Sequence, residues 1–242
     1  MFLENLNPHP RDDLIKFTEK DHTYKINKIK YTSVTTIISS LFEPFNEEEI
    51  ISNMLSKNYD KTHKYYNKNK KEIKQMWCDT RNLGTELHKY IEYYLNNMSI
   101  EEYKNIEFNY FLNFMNLYQL EPYRTEFRIY DEEYEIAGSV DAIFKDNDKY
   151  IVCDWKRVSD IDQENRWNKF SYVENVGKLK DTKYLHYQMQ LNLYAYILEK
   201  NYNMKISKLI IVLIHPDNEN FVLHSVNFKK NILEKILKNK KK

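Results

Sequence analysis

The sequence predicts an α/β fold in which helices pack on a mixed β-sheet. Three observations predict it. Apolar residues recur at helical spacing before residue 120 and again over 184–200. Short apolar runs bounded by polar turns lie between and after these segments, and their length is typical of strands. Because helical and strand segments alternate along the chain, one sheet covered by helices is the simplest packing, and its strand ends can form a cleft.

The amino-terminal half predicts one hairpin followed by four helices. In chain order these are strands at 23–26 and 29–32, then helices at 34–41, 47–55, 70–97 and 100–120. The stretch before the hairpin contains two prolines and is expected to be irregular. Thr32 or Ser33 can cap the first helix, and Asn46 can cap the second. Gly84 costs the long helix about 1 kcal/mol relative to alanine, so it marks either a break or a close approach to the backbone.

The carboxyl-terminal half predicts most of the sheet. In chain order it has strands at 123–130, 136–144 and 150–158, a helix at 184–200, strands at 207–215 and 221–226, and a helix at 231–238. The polar residues 145–149 form the tip of a hairpin between the second and third of these strands. Residues 160–183 are polar and irregular apart from Trp167, Phe170 and Tyr172, and a segment this long suggests a functional loop or lid.

The composition excludes several classes of protein. No apolar run approaches the ~20 residues that cross a bilayer. Four acids in the first twenty residues match neither a secretory signal nor an acid-poor transit peptide. We therefore expect an intracellular protein that is not secreted, most simply in the cytoplasm, with nucleus or organelle left open. The two cysteines, Cys78 and Cys153, are too few for a disulfide framework, a four-cysteine zinc site or an iron-sulfur cluster.

A basic stretch at 57–74 is the main feature of the charge distribution. The net charge is only +1, so attraction to a polyanion must come from local patches. Seven lysines of this stretch alternate with Tyr59, His63, Tyr65 and Tyr66, against two acids. Lysines and aromatic rings together suit a flexible nucleic-acid strand. A solvated helix face or loop explains the stretch equally well, because charge runs are common on surfaces.

The predicted hairpin of 136–144 and 150–158 carries the clearest chemical pattern. Asp154 and Lys156 share one face, since side chains of a strand alternate, and Asp141 on the partner strand can approach them. Buried charges of this kind must be paired or bind a cation. The cluster therefore suits a metal-dependent phosphodiesterase. Taken alone, an ordinary salt bridge within the sheet accounts for Asp154 and Lys156 as well.

Two helices offer further candidate residues. His88 lies on the long helix with Glu92 four residues later on the same face, where a carboxylate could orient the imidazole of a ligating histidine. A histidine paired casually with Glu92 is the simpler alternative. On the late helix, Gln190 and Tyr194 share a side and could hydrogen-bond phosphate or base, although their apolar neighbours indicate core packing.

Glu126 is a third candidate carboxylate in the predicted strand 123–130. It could lie near a metal, or it could pair with one of the arginines on either side of it, Arg124 and Arg128. The sequence slightly favours the ion pair.

As an ordered series, these motifs resemble the PD-(D/E)XK nuclease superfamily in its RecB-like branch. The series is His88, Gly138 to Asp141, Asp154 to Lys156, and the helix with Gln190 and Tyr194. It looks closest to the compact exonucleases related to the mitochondrial genome maintenance exonuclease and its phage and viral homologues. The nominal Pro-Asp pair is absent, as it commonly is in RecB-like members. Some relatives carry an iron-sulfur cluster, for which this chain has too few cysteines.

The resemblance implies a restriction-endonuclease-like core and a Mg²⁺ or Mn²⁺ cofactor. His88, Asp141, Asp154 and the backbone carbonyl of Trp155 would bind the metal. Lys156, with the two acids, would be catalytic, helping to position or deprotonate the attacking water and stabilising the developing charge. Gln190 and Tyr194, with the basic stretch, would hold the strand. Hard oxygen ligands independently suit magnesium, and an added imidazole makes manganese acceptable.

The same resemblance sets the expected organisation and substrate. We expect a single nuclease domain over 1–242, with a hairpin and helical elaboration in 1–80, the catalytic core in 81–230, and a helix and basic tail in 231–242. The partner would be DNA, single-stranded or with free ends, cut by an exonuclease in replication, repair or recombination. Two alternatives remain: an RNA endonuclease of the cap-snatching type, and a nucleic-acid-binding protein that has lost the reaction.

Overall fold

An eight-stranded mixed sheet with helices on both faces organises the structure, a computed structural model that describes residues 1–100, 105–161, 168–173 and 176–240. The helices are α1 Phe2–Leu6, α2 Val34–Ser39, α3 Glu47–Leu55, α4 Lys70–Leu95, α5 Ile106–Tyr118, α6 Lys183–Asn201 and α7 Lys230–Lys240. The strands are β1 Ile15–Thr18, β2 Thr23–Ile26, β3 Ile29–Ser33, β4 Glu121–Asp131, β5 Ile136–Asp146, β6 Lys149–Lys156, β7 Ile206–Leu213 and β8 Val222–Val226. The predicted α/β fold with a mixed sheet flanked by helices is confirmed.

The sheet branches at β5. Its main path runs β1-β2-β3-β5-β6-β7-β8, and β4 pairs with β5 along nearly its whole length. The pairs β3–β5 and β6–β7 are parallel, and the others are antiparallel. On the edge of β5 away from β4, Ile136 and Ala137 pair with β3, while Ala142 to Asp146 pair with β6. Within the part of the chain that is described, residues 138–141 therefore have no strand partner on that edge.

Two apolar layers fix the helices against the sheet. Alternate residues of the strands pack on α2, α6 and α7 on one face, and on α4 and α5 on the other. Trp155 of β6 belongs to the second layer, where its ring meets Phe111 and Phe114 edge-on, with ring centroids 5.5 Å away in each case. Because strand side chains alternate, Asp154 and Lys156 face α6 instead.

Several local predictions are confirmed. The predicted amino-terminal hairpin is β2–β3, and both residues of its tip, Asn27 and Lys28, have positive φ, as a two-residue hairpin turn requires. Ser33 caps α2 and Asn46 caps α3, each accepting a backbone hydrogen bond in the first turn. Helix α4 runs unbroken through Gly84, so that glycine does not mark a break.

Other local predictions need correction. The amino-terminal start is not irregular, because α1 and β1 form there and β1 pairs with β2. Strand β6 ends at Lys156 rather than at residue 158. The helix predicted from residue 100 begins at Ile106, and residues 101–104 lie outside the described residues, as do 162–167 with Trp167, 174–175 and the last two lysines. Among the helices described, none is long and apolar enough to cross a membrane.

Candidate active site

The β5–β6 hairpin opens where its strands diverge. Their pairing runs from the tip to Ala142 and Cys153, beyond which β6 stays paired with β7 alone. The N–H and C=O of one strand residue point to the same edge, so Trp155 turns both groups toward the gap. Its N–H donates to Asp141 Oδ2 at 2.9 Å, and its carbonyl oxygen lies 2.9 Å from His88 Nε2. The gap thus brings together a carboxylate, an imidazole and a peptide carbonyl group that is not hydrogen-bonded to a neighbouring strand within the described part of the chain.

Helix α4 places His88 over this gap. Leu87 and Ile91 are fully buried and hold the helix against the sheet. The other ring nitrogen of His88, Nδ1, lies 3.5 Å from Asp141 Oδ2. Both ring nitrogens therefore face groups of the gap, and the prediction that Glu92 could orient the imidazole is wrong. Burial raises the pKa of Glu92, which lies one turn further along α4.

Glu126 is the functional candidate that sequence reasoning ranked too low. The β4–β5 register pairs Thr125 with Ala142 and Phe127 with Val140, which sets Glu126 opposite Asp141. Its backbone is left-handed, with φ of 43°, a conformation that costs a residue with a side chain about 1 kcal/mol. One oxygen of each of the carboxylates of Glu126 and Asp141 and a ring nitrogen of His88 all lie within 4.8 Å of one another.

Among the described residues, Glu126 forms an ion pair with neither Arg124 nor Arg128, so the interpretation of Glu126 as the partner of a neighbouring arginine is wrong. Arg124 pairs with Asp12, its Nη1 lying 2.9 Å from Asp12 Oδ2. Glu126 instead accepts a hydrogen bond of 2.8 Å from Ser139 Oγ. Burial and the charge of Asp141 raise the pKa of Glu126.

Asp154 and Lys156 form a buried ion pair on the α6 face. Lys156 Nζ lies 2.7 Å from Asp154 Oδ2 and 4.7 Å from the centre of the Tyr187 ring. Burial raises the pKa of Asp154, and the charge of Lys156 only partly opposes this. Burial acts to lower the pKa of Lys156, but the charges of Asp154 and Asp141 outweigh it and the pKa is raised. The two side chains stabilise each other's charged forms.

Gln190 and Tyr194 of α6 form a chain of hydrogen bonds that ends at Asp154. The Gln190 side-chain amide donates to Asp154 Oδ1 at 3.2 Å and to the Tyr194 hydroxyl at 3.1 Å. Tyr194 is only 3% exposed, and a Cβ atom at Gly138 would lie 2.5 Å from its Cε1. Gly138 therefore makes room for the ring that anchors this chain of hydrogen bonds. The contact of Gln190 and Tyr194 with substrate stays a prediction.

The donor set fits a hard divalent cation. Two ligands at right angles around an ion, each at roughly 2.1 Å, lie about 3 Å apart. His88 Nε2 and the Trp155 carbonyl oxygen, which are hydrogen-bonded at 2.9 Å, already lie at that separation. A cation between the two carboxylates would also offset the charge of Asp141, which raises the pKa of Glu126. Both oxygens of Asp154 are engaged by Lys156 and Gln190, so its predicted part in holding the metal stays a prediction.

Comparison with known proteins adds a likeness of fold. No protein-family model matches the chain, and a search of curated proteins finds no match. Among solved structures, the alkaline exonuclease LHK-Exo from Laribacter hongkongensis is similar over 87% of this chain and 84% of its own, with a TM-score of 0.43 and 8% identity. SSO0001 is similar over 86% and 73%, with a TM-score of 0.40 and 16% identity. A proposal about activity therefore rests on the side chains of the site.

Proposed function

We propose that this protein is a nuclease of the PD-(D/E)XK superfamily, in its RecB-like branch, that hydrolyses phosphodiester bonds with Mg²⁺ or Mn²⁺. One observation carries the proposal. Where β5 and β6 diverge, His88, Asp141 and the Trp155 carbonyl group form a set of potential metal ligands. The ion pair of Asp154 and Lys156 lies next to this set. A salt bridge within a sheet, the simpler interpretation of the sequence, needs neither the imidazole nor the peptide carbonyl.

In the proposed reaction, one group of residues would hold the metal ion. Bound Mg²⁺ or Mn²⁺ would polarise the phosphodiester and make a bound water a better nucleophile. His88, Asp141 and the Trp155 carbonyl would hold the ion with Asp154, and Glu126 is a further ligand that the predicted set lacked.

Lys156 would position the attacking water and stabilise negative charge that develops on the phosphoryl oxygens. Its ammonium group is fixed by Asp154 and by the face of the Tyr187 ring. Gln190 and Tyr194 keep the Asp154 carboxylate in place through their hydrogen bonds, so the pair needs little rearrangement during the reaction.

We propose DNA as the substrate, single-stranded or with free ends, and exonuclease action in replication, repair or recombination. The ordered motifs support this choice, because the helix with Gln190 and Tyr194 follows the Lys156 strand as in the DNA-directed RecB-like branch. An RNA endonuclease of the cap-snatching type and a catalytically silent nucleic-acid-binding protein are the competing outcomes of the test.

The test is a substrate panel for the purified protein. We expect linear single-stranded DNA to be shortened with Mg²⁺ or Mn²⁺ and to stay intact in a chelator, because the proposed reaction needs the cation that the donor set would hold. Labelled single-stranded DNA, duplex DNA and RNA, each linear and circular, are compared on gels, with the Asp154→Asn protein as control. Cutting of circles would show an endonuclease, and cutting of RNA alone an RNA enzyme. Binding without cleavage under any metal would overturn the proposed activity.

A further inference from the structure

Helix α4 carries a line of positive side chains that leads to His88. Lys74, Arg81 and His88 are spaced seven residues apart, and an α-helix drifts by only about 20° per seven residues, so they lie along one face. Arg81 is about 10 Å from His88 along the axis. It is exposed, and none of the carboxylates in the described part of the chain pairs with it. An open groove of about 580 Å³ borders this face, lined by Glu47, Lys70, Lys71, Lys74, Gln75, Cys78 and Arg81.

Three aromatic rings on the segment just before α4 contact one another. The rings of Tyr59 and His63 stack with centroids 3.9 Å apart and planes 7° from parallel. Tyr65 lies 5.5 Å from His63 and is fixed to α4 by the indole N–H of Trp77, which donates to its hydroxyl at 3.2 Å. His63 is exposed, so the stacked pair presents an open face. Such a pair can be extended by one unpaired base.

The lysines around these rings fall into two groups. Lys68, Lys70 and Lys74 form ion pairs with Glu72, Glu47 or Glu48, as a solvated helix face would. Four other exposed cations have no carboxylate partner among the described residues: Lys61, Lys64, Lys71 and Arg81. Lys64 Nζ lies 5.1 Å from the centre of the Tyr65 ring. Ion pairing therefore explains only part of the basic stretch.

Helix α4, which carries Arg81, lies beside the strand ends of the candidate active site. Arg157 follows Lys156 directly, and its Cβ is 3.9 Å from the position that a Cβ would take at Gly84 of α4. His215 follows β7, whose Leu213 pairs with Lys156. Burial lowers the pKa of His215; the charges of Asp217 and Glu107 oppose this, and those of Arg157 and Lys64 act with it. Helix α4 therefore passes the edge of the sheet that carries Lys156.

We propose that the basic-aromatic surface binds one single strand of nucleic acid and leads it along α4 to His88. The surface is defined by Tyr59, Lys61, His63, Lys64, Tyr65, Lys71 and Arg81. The rings stack on bases, and the cations contact phosphates along the face that Arg81 shares with His88. A duplex fits less well, because its bases are already stacked and hide their faces. The inference rests on the proposed nuclease function for its purpose, but its binding can be measured separately.

The first experiment measures binding without cleavage. Fluorescence anisotropy in a chelator follows a labelled oligo(dT), an abasic strand of the same length, and a duplex. Wild type is expected to bind oligo(dT) more tightly than either. The double variant Tyr59→Ala/His63→Ala should bind oligo(dT) about tenfold more weakly, the expected loss of one stacked base, and should no longer distinguish it from the abasic strand. Equal affinity of wild type for duplex and single strand overturns the proposal.

A second pair of variants tests the cations. Lys64→Ala/Arg81→Ala should weaken binding to both single strands and reduce the slope of log affinity against log salt by about 1.4, since each single-strand phosphate contact contributes about 0.7. Lys16→Ala/Lys25→Ala is the matched control, because it removes the same charge from exposed positions of β1 and β2. The proposal fails if the control pair loses as much affinity as the test pair, or if the test pair loses none.

Hydrolysis of a small substrate distinguishes a failure of the proposed binding surface from a failure of the proposed nuclease function. Thymidine 5′-p-nitrophenyl phosphate with Mn²⁺ reports the chemistry at the metal without needing the surface. Both surface variants should hydrolyse it at the wild-type rate while shortening oligo(dT) more slowly. Absence of hydrolysis by wild type would count against the nuclease function, whereas slow oligo(dT) cleavage by the control pair would count against the surface. Circular dichroism melting confirms that each variant is folded.

Discussion

Replacing Asp154 with asparagine is expected to slow cleavage of the preferred substrate at least about 100-fold, the effect of removing one preorganised charged group from an active site. Asparagine has nearly the same shape and keeps an oxygen for the Gln190 amide, whose hydrogen bond to Asp154 is 3.2 Å long. It removes the charge that holds Lys156 Nζ at 2.7 Å. The variant should therefore stay folded and lose the chemistry.

Lys156→Ala should lose activity to the same degree, with a larger effect on stability. It leaves the Asp154 carboxylate buried without its cation, and breaking a buried pair costs about 3–5 kcal/mol. The raised pKa of Asp154 reduces this cost, because the carboxyl group can take up a proton. Initial rates and urea midpoints of both variants, with Lys149→Ala as an exposed control on the same strand, give the comparison. Near-normal cleavage by Asp154→Asn and Lys156→Ala would exclude this site.

The strand period was enough to predict that Asp154 and Lys156 lie together at the centre of the candidate site. Asp154 and Lys156 lie two residues apart in a short apolar run, so they had to share a face wherever β6 was placed. The polar tip at 145–149 brought Asp141 near them, because a hairpin pairs residues at equal distances from its turn. Local rules of this kind also placed the caps at Ser33 and Asn46.

The gap that exposes the Trp155 carbonyl could not be predicted in this way. It exists because β3 takes the edge of β5 at Ile136 and Ala137, a parallel pairing between segments about a hundred residues apart in the chain. No local pattern records such a pairing. Glu126 is different, since counting back from the turn at 131–136 sets it opposite Asp141. The arginines on both sides of it made an ion pair look simpler.

Gly138 and Gly84 allow the packing around the candidate site to be tested with a matched pair of substitutions. Both glycines precede a proposed ligand by three or four residues, Asp141 and His88. A Cβ at Gly84 would meet only the Cβ of Arg157, at an ordinary 3.9 Å, whereas one at Gly138 would lie 2.5 Å from the Tyr194 ring. Neither glycine has positive φ, so the backbone tolerates alanine at both positions and the surroundings alone decide the outcome.

Gly138→Ala is therefore expected to destabilise the protein by about 1–3 kcal/mol, the usual effect of overpacking a core. The displaced Tyr194 ring would release the Gln190 amide and loosen Asp154, so turnover should fall as well. Gly84→Ala, the matched control, should raise the free energy of unfolding by about 0.4–1 kcal/mol, because alanine favours the helix and restricts the unfolded chain. Urea unfolding with initial rates measures both. If Gly138→Ala is as stable and active as Gly84→Ala, the tyrosine does not position the acid.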